Sequence, residues 1–419
     1  MISLKVSFSL MAVAFLVTNM AYPHVLAFAR KHNIVDNPNA RKLQRVPVPV
    51  MGGTAVYIGF LITTCLTLFF APDLRLVKIM FLLSIMYAIG VWDDIKDVSA
   101  PLRFLVEVVV VWLMMYLLGV EINDFHGFWG KHLISDVVSI PLSLIAGVGI
   151  MNAINLIDGV DGYCSTFGVM ACTAFAVIFF FAGDMQMFTL ALITIGAVVP
   201  FFFHNVFGRT SKMFLGDGGS LMLGTLLAMF TFSTLCSTSP CAAYGESGLS
   251  LVALTLAILA VPVFDTLRVM IFRVINGHSP FRPDKTHLHH LYIEMNFSHL
   301  ATSGSIVFVN ANIIGILILA WRLGLSIDMQ VYLVVLLAMG YTWGFYFFME
   351  SQHRKNDGEG SRLYQRWCVR GKSTNVSANF LWQMVRSMVD SRFLAGPAPE
   401  KRATEPKIQK TKGRDPRIQ

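Results

Sequence analysis

Polar residues with chemical potential occur in four clusters that interrupt long apolar stretches. The central cluster runs from Asn152 to Gly162 and reads Asn-Ala-Ile-Asn-Leu-Ile-Asp-Gly-Val-Asp-Gly. Ionised carboxylates are costly at membrane depth, so such a cluster indicates a functional site. A tight turn between helices is the alternative, but a turn does not need two amides and two carboxylates. The candidates here are Asn152, Asn155, Asp158, Gly159 and Asp161.

A carboxylate cluster, Asp93, Asp94 and Asp97, follows an apolar run that ends at Trp92. These side chains could bind a divalent cation, accept a proton or cap the next helix. Three carboxylates within five residues favour a functional site over capping alone. Arg103 lies one or two helical turns further on and could meet a phosphate. A snorkelling interfacial arginine is the alternative.

The third cluster centres on Asp217, which glycines flank at the start of another apolar stretch. Backbone N–H groups at a helix start favour anions, and the carboxylate could hold a metal ion. Phe214 could stack on a nucleotide base, although packing against lipid is the more ordinary role of a phenylalanine. This cluster therefore predicts an anion or metal site.

The fourth cluster is a set of cationic and hydrogen-bond donors matched to a pyrophosphate. Zinc is the alternative ligand for its histidines. It is disfavoured because no thiolate is near, and carboxylates and amides of the other clusters suit Mg²⁺ or Mn²⁺. The candidates are Arg282, His287, His289 and His290, with Lys285 between them.

The elements that must position these clusters are membrane-spanning helices. The chain of 419 residues is 55% hydrophobic and only 14% charged, which exceeds the apolar content of an ordinary soluble domain. Crossing a bilayer takes about 20 apolar residues, and eleven segments qualify. The sequence therefore predicts an all-α, polytopic membrane protein with spans at 3–27, 50–71, 76–92, 102–120, 134–154, 163–183, 187–204, 218–238, 248–271, 300–321 and 329–349.

The lysines and arginines of short loops predict the orientation, because cytoplasmic loops are enriched in them. Loops 28–49, 205–217 and 272–299 carry this enrichment. They are predicted to be cytoplasmic, with the N-terminus outside and the C-terminus inside. All four clusters then face the cytoplasm. Since the clusters were not used to count the spans, the agreement supports one active site on one side.

The chain divides into a predicted transmembrane catalytic domain, 1–350, and a basic cytoplasmic tail, 351–419. The tail holds 15 Lys/Arg against 6 Asp/Glu, which favours a lipid-facing segment over a nucleic-acid module. Apolar residues at helical spacing between Phe380 and Val389 predict an interfacial amphipathic helix. The bilayer is thus an expected partner and nucleic acid is not.

Five motifs in order carry a family resemblance over roughly residues 30–295. They are Pro-x-Pro-x-x-Gly-Gly from Pro47, Asp-Asp-x-x-Asp from Asp93, the Asn152 cluster, Phe-x-Gly-Asp-x-Gly-Ser from Phe214, and the histidine motif that ends at His290. In this order they resemble the polyprenyl-phosphate N-acetylhexosamine-1-phosphate transferase superfamily. The resemblance implies an integral membrane enzyme of the bacterial inner membrane. Such enzymes join a UDP-activated amino-sugar phosphate to a polyprenyl phosphate, release UMP and use Mg²⁺ or Mn²⁺.

The resemblance also implies residue roles. Asn155 and Asp217 match metal-binding positions, and Asp93 and Asp94 match carboxylates around the lipid phosphate. The uridine site is matched by Gly159, Asp161 and Phe214. The positions near the pyrophosphate are matched by Arg103, Arg282, His287, His289 and His290.

Within the superfamily, Asp97 and the histidine motif are similar to bacterial GlcNAc-1-phosphate transferases that use undecaprenyl phosphate and UDP-N-acetylhexosamine. The branch that transfers phospho-MurNAc-pentapeptide usually has Lys at the position of Asp97 and stands as the alternative. A secondary transporter is a second alternative. Its polar groups should lie near the bilayer midplane in two related halves. Direct or covalent transfer and a homodimer are left open by the sequence.

Overall fold

The computed structural model describes residues 3–37, 46–280, 286–355 and 380–391. Within this part of the chain, ten helices are long and apolar enough to cross a membrane, and one bent helix pair makes eleven. The predicted all-α, polytopic class is confirmed. The spans are α1 Leu4–Lys31, α2 Gly52–Phe70, α3 Leu74–Lys96, α4 Ala100–Leu118, α5 Asp136–Leu156, α6 Tyr163–Ala182, α7 Met185–Phe207, α8 Gly216–Leu235, the pair α9 Leu251–Ile258 and α10 Ala260–Ile275, α12 His299–Arg322, and α13 from Ile327.

Short connections between consecutive helices bring the polar clusters to one end of the bundle. Helix α3 ends at Lys96 and α4 begins at Ala100, while α5 ends at Leu156 and α6 begins at Tyr163. The last residues of α3, α5 and α7 therefore share an end with the first residues of α4, α6 and α8. The predicted cluster residues that the structure describes lie at this end and not halfway along the helices, which disagrees with the transporter alternative.

Helix α8 forms the centre of the bundle, and all of its residues except Asp217 are buried. Its first turn packs against glycines of α2 and α3. A Cβ on Gly53 would collide with the backbone of Gly219, and one on Gly90 would collide with the backbone of Asp217. Small residues allow this close approach between helices in a membrane protein. They fix the position of the backbone that carries Asp217.

The predicted span 248–271 is present but is not one straight helix. Helices α9 and α10 meet at Leu259 with a bend of 75°. Buried Asn310 of α12 accepts a hydrogen bond from Val261 N at 2.9 Å. Its amide also donates to the carbonyls of Ala257 and Ile258 at 3.0 and 2.9 Å. A side chain from another helix thus satisfies backbone groups that the bend releases.

The last predicted span, 329–349, contains an irregular turn. Helix α13, Ile327–Met339, continues through the π-helical turn Gly340–Phe345 into α14, Tyr346–Lys355. Two shorter elements complete the described chain near the site: the antiparallel strand pair Val35–Asp36 with Val48–Pro49, and helix α11, Leu288–Glu294. A helix also covers Phe380–Asp390, where the amphipathic pattern predicts one; it is called the tail helix below.

Candidate active site

An arginine joins two carboxylates at the centre of the polar end. Arg103 Nη1 lies 3.0 Å from Asp93 Oδ2 and 3.1 Å from Asp217 Oδ2. These residues come from α4, α3 and α8, so the contact joins the cluster that contains Asp93 to the one centred on Asp217. Asp93 Oδ1 also accepts a hydrogen bond from Val98 N at 2.7 Å, which holds the turn after α3. Arg103 therefore points into the bundle and does not snorkel toward the interface.

Asp94 caps a helix, but not the helix that follows it in the chain. Its two oxygens accept hydrogen bonds from Asp217 N at 2.8 Å and Gly218 N at 3.1 Å. These N–H groups belong to the first turn of α8 and have no partner within that helix. A carboxylate at a helix start is also favoured by the helix dipole. The capping interpretation thus holds for Asp94, although the capped helix is α8. The contact ties α3 to the backbone of Asp217.

The two asparagines of the central cluster contact charged residues of neighbouring helices. Asn155 Nδ2 donates to Asp217 Oδ1 at 3.0 Å. Asn152 Nδ2 donates to Glu107 Oε2 at 2.5 Å. Glu107 is buried, and its Oε1 lies 3.6 Å from Arg103 Nε. The asparagines, Glu107, Arg103 and Asp217 therefore form one connected polar network.

Asp158 and Asp161 extend the network toward α12. Asp158 faces the backbone N–H of Gly216 and lies within electrostatic range of Asp217. Asp161 Oδ2 is 2.5 Å from Lys212 Nζ and 3.0 Å from His299 Nδ1. Burial disfavours the charge of Asp161, but the His299 hydrogen bond and the Lys212 charge outweigh burial and lower its pKa. Asp161 is thus held ionised.

Phe214 is fixed by its backbone. Its N–H donates to Pro49 O at 2.8 Å, and its carbonyl accepts from Gly52 N at the same distance. The Lys212 ammonium lies 5.8 Å from the centre of the half-buried Phe214 ring. The proline and glycine motif at the start of α2 therefore holds the segment that leads into α8, with Phe214 beside a cation.

The histidine motif packs next to the central cluster. His287 and His289 are buried and parallel, with ring centres 5.7 Å apart. His289 Nε2 would be 3.3 Å from a Cβ on Gly159, so this glycine leaves space in front of the ring. Burial, with the neighbouring His290 and His287, lowers the pKa of His289 well below its usual value. His289 is therefore neutral at physiological pH.

Asp265 of α10 orients the histidine motif. Its Oδ2 lies 3.0 Å from His287 Nδ1, and its Oδ1 lies 2.7 Å from Arg268 Nη2. His287 Nε2 is buried without a hydrogen-bond partner among the described residues. A histidine that is held through Nδ1 presents Nε2 to a ligand, so the Asp265 contact sets which nitrogen is available.

One predicted site residue that the structure describes is not joined to this network. Asp97 is exposed at the end of α3 with φ of 50°, and within the described chain its carboxylate has no hydrogen bond or ion pair. Its left-handed conformation ends the helix, a local role that aspartate tolerates. Arg282 lies outside the described residues, as does Lys285.

The donor atoms at this end of the bundle fit a hard divalent cation. They are carboxylate oxygens of Asp93 and Asp217 and the amide of Asn155. In the described segments, no three His, Cys, Asp or Glu side chains are grouped to hold a metal ion. Mg²⁺ does not require such a cage, because it is usually bound through one or two carboxylates, waters and substrate phosphates. Asp217, with the carbonyl oxygen of Asn155, would be its protein ligands here.

Sequence reasoning missed several residues of the network. Glu107 and Asp265 were detectable, since each is a carboxylate within a predicted apolar span. Lys212 contributed only to the prediction of orientation, as a basic residue of loop 205–217. His299 gave no signal because its partner, Asp161, is 138 positions away. Only the three-dimensional packing joins such distant residues.

The fold and the site define a class, a multi-pass membrane phosphoglycosyltransferase. The chain belongs to glycosyl transferase family 4, whose sequence model matches residues 76–235. It is 31% identical over 292 residues to the probable undecaprenyl-phosphate N-acetylglucosaminyl 1-phosphate transferase of Bacillus subtilis (strain 168), covering 68% of this chain and 78% of that protein.

Further relatives carry similar names. The undecaprenyl-phosphate alpha-N-acetylglucosaminyl 1-phosphate transferase of Escherichia coli (strain K12) is 28% identical over 299 residues, covering 70% of this chain and 78% of that protein. The Salmonella typhi protein of the same name is 29% identical over 277 residues, covering 64% and 72%. These matches establish the family and the general reaction, transfer of a sugar phosphate to undecaprenyl phosphate.

Proposed function

We propose that this protein transfers GlcNAc-1-phosphate from UDP-GlcNAc to undecaprenyl phosphate and releases UMP, as the first step in building a cell-surface polysaccharide. The names of the relatives support this donor and acceptor. The observation that carries the proposal is the contact of Arg103 with both Asp93 and Asp217. It brings a cation and two carboxylates of separate motifs together at one end of the bundle, as phosphoryl transfer requires.

In the proposed reaction, an oxygen of the lipid phosphate attacks the β-phosphorus of UDP-GlcNAc. The bond from the β-phosphorus to the bridging oxygen breaks, and UMP leaves with that oxygen. Catalysis of such transfers rests on positioning and charge stabilisation. The guanidinium of Arg103 would stabilise negative charge on the transferred phosphate, and Asp93 would act toward the lipid phosphate. A bound Mg²⁺ on Asp217 and Asn155 would supply further positive charge to the pyrophosphate.

The donor would bind along the line from Phe214 to the histidine motif. Phe214 offers an aromatic face to uracil, and the Asp161–Lys212 pair offers polar contacts to the nucleoside. His287, whose Nε2 has no hydrogen-bond partner in the described part of the chain, and His289 near Gly159 would contact the pyrophosphate. Asp158 lies between these groups and Asp217 and would orient the donor. Asp94 would act by holding the first turn of α8.

We further propose that the protein lies in the bacterial inner membrane with this end toward the cytoplasm, as the loop charges predict. In a cysteine-free background, Lys131→Cys and Asn276→Cys place exposed thiols at opposite ends of the bundle. An impermeant thiol reagent added to intact cells should label only the former. Labelling of Asn276→Cys alone would contradict this orientation and support the opposite one.

The deciding experiment measures transfer of radiolabel from UDP-GlcNAc to undecaprenyl phosphate by the purified full-length protein in Mg²⁺, with UMP quantified. Equal lipid product and UMP are expected. UDP-MurNAc-pentapeptide serves as the competing donor in parallel reactions. If only this donor supported transfer, the proposed sugar would be wrong, and transfer with neither donor would reject the function.

A further inference from the structure

The loop between α7 and α8, residues 208–215, carries two residues of the proposed donor site, Lys212 and Phe214. Its backbone is fixed mainly by residues outside the loop. Tyr22 of α1 donates to Ser211 O at 2.9 Å, and Asn205 Nδ2 donates to Met213 O at 3.0 Å. These contacts satisfy carbonyl oxygens. The N–H groups at the start of the loop need an acceptor from elsewhere.

That acceptor comes from the tail helix. The carboxylate of Asp390 accepts hydrogen bonds from the N–H groups of Arg209, Thr210 and Ser211 at 3.0, 3.2 and 3.1 Å. The Ser211 hydroxyl adds a fourth donor at 2.9 Å. Successive N–H groups that converge in this way form an anion-binding nest. Here the anion is a side chain 179 positions further along the chain.

The N–H groups of the nest bind Asp390 in its ionised form. Asp390 is buried at the end of its helix. Burial opposes ionisation, yet the N–H groups of Arg209 and Ser211 and the Ser211 hydroxyl lower the pKa of Asp390. Hydrogen bonds to an ionised acceptor are stronger than those between neutral groups. An amide in the same place would offer one oxygen and turn its own N–H groups toward the nest.

Lys212 follows the nest directly in the chain. Its ammonium lies 2.5 Å from Asp161 Oδ2, so the direction in which the loop leaves Ser211 determines whether this pair forms. Without Asp390, three N–H groups would lose their partners, and each unsatisfied buried group is costly. The loop would move to expose them to water. The Lys212 side chain would then leave Asp161.

We propose that Asp390 is a positioning residue of the donor site, and that the tail helix acts as an intramolecular clamp on the loop that carries Lys212 and Phe214. The inference rests on the proposed function only in treating the Asp161–Lys212 pair as part of the donor site. The tail helix is thereby part of the catalytic unit and not an appendage to the membrane domain.

The test compares Asp390→Ala and the isosteric Asp390→Asn with Ser391→Ala in the full-length protein. Ser391 is exposed, and within the described chain its hydroxyl donates only to Met388 O of the tail helix, so it is the matched control. Hydrogen exchange of the amides of residues 209–211 reports docking directly. Faster exchange is expected in both Asp390 variants and not in the control.

Steady-state kinetics reports positioning. The KM for UDP-GlcNAc should rise about tenfold in both Asp390 variants, with kcat and the KM for undecaprenyl phosphate within about twofold of the wild-type values. Unchanged amide exchange would overturn the clamp. Faster exchange with an unchanged donor KM would overturn the positioning role. Faster exchange in a protein that transfers no GlcNAc-1-phosphate even as wild type would support the clamp and reject the proposed function instead.

Discussion

Arg103 and Asp217 approach to 3.1 Å although 114 positions separate them in the chain. The same nitrogen of Arg103 reaches Asp93 at 3.0 Å, so one guanidinium lies between two carboxylates. Glu107, one helical turn along α4, lies 3.6 Å from the other side of the guanidinium. The position of this cation is therefore set from three directions before any substrate binds.

Replacement of Arg103 should abolish most activity. Arg103→Ala removes the guanidinium that contacts both Asp93 and Asp217, and we expect a loss of about a thousandfold in kcat. Arg103→Lys keeps the charge but lacks the planar guanidinium, which donates several hydrogen bonds at once. This variant should recover only part of the lost activity. Glu107→Gln should lower kcat by a smaller factor, about tenfold, because it acts through Arg103. Transfer assays on the purified variants measure these effects, and an active Arg103→Ala protein would contradict the assignment.

Asp217→Asn tests the metal assignment. It preserves size and removes the charge, and we expect a loss of about a thousandfold or more in kcat/KM. Mg²⁺-dependent binding of UDP-GlcNAc, followed by calorimetry, should disappear with it. Asp93→Asn should also stop transfer but retain that binding, because its role is toward the lipid phosphate.

The matched control for both variants is Asp136→Asn, an exposed and isosteric change at the first turn of α5. It should leave transfer and binding unchanged. Full activity of Asp217→Asn, or wild-type transfer that persists in excess chelator, would show that no metal ion acts at this position.

The pH dependence of stability should contain a contribution from Asp161. Its pKa is lowered in the folded protein, so ionised Asp161 stabilises the fold at pH values above about 4, its ordinary pKa. This stabilisation is lost as the pH falls through the folded pKa. Thermal unfolding in detergent should show Asp161→Asn below the wild type at pH 7, with the difference shrinking toward pH 3. The exposed Glu294→Gln should show no such convergence, and a constant gap for Asp161→Asn would refute the argument.

Asp265→Asn should impair turnover through His287. The carboxylate holds His287 Nδ1 at 3.0 Å and also accepts a hydrogen bond from Leu288 N at 3.2 Å. The amide cannot enforce the same tautomer, so the ring of His287 would no longer be held with Nε2 as the nitrogen presented to the ligand. We expect kcat to fall about a hundredfold, with a similar loss in His287→Ala. If the double variant lost the product of the two single effects, the residues would act independently and the proposed link would fail.

Asn310→Leu tests the bend between α9 and α10. The substitution leaves Val261 N and two carbonyls without their partners in an apolar environment. Each unsatisfied group costs about 1–3 kcal/mol, so thermal stability in detergent should fall clearly. Asn312→Leu on the same helix is the control, since this asparagine is exposed and, among the residues that the structure describes, donates only to Phe308 O of its own helix. Equal stability of the two variants would argue against the capping role of Asn310.

The spans and the location of the clusters were predictable because both leave local signals. About 20 apolar residues in succession are visible in any window, and carboxylates at their ends stand out against them. The common side of the clusters followed from the alternation of helix direction. What local patterns could not supply is the pairing of side chains between clusters.

The bend at Leu259 illustrates why. Its sequence is as apolar as its neighbours, and the residue that makes the bend possible, Asn310, belongs to another helix. Asp94 is similar, since capping of the next helix was only the alternative to a functional role, and the structure uses this carboxylate as a cap on α8, 123 positions away. Such features depend on which helices become neighbours, and hydrophobic periodicity alone does not determine that choice.

The burial of α8 has a consequence for how the protein meets its surroundings. Residues from Gly218 to Leu235 are all buried, whereas α1 and α4 present large apolar side chains such as Leu16 and Trp112 outward. A change of lipid chain length, or a move into detergent micelles, alters the medium around the outer helices. The helix that carries Asp217 keeps the same neighbours throughout. The charge arrangement at its first turn is therefore insulated from membrane composition.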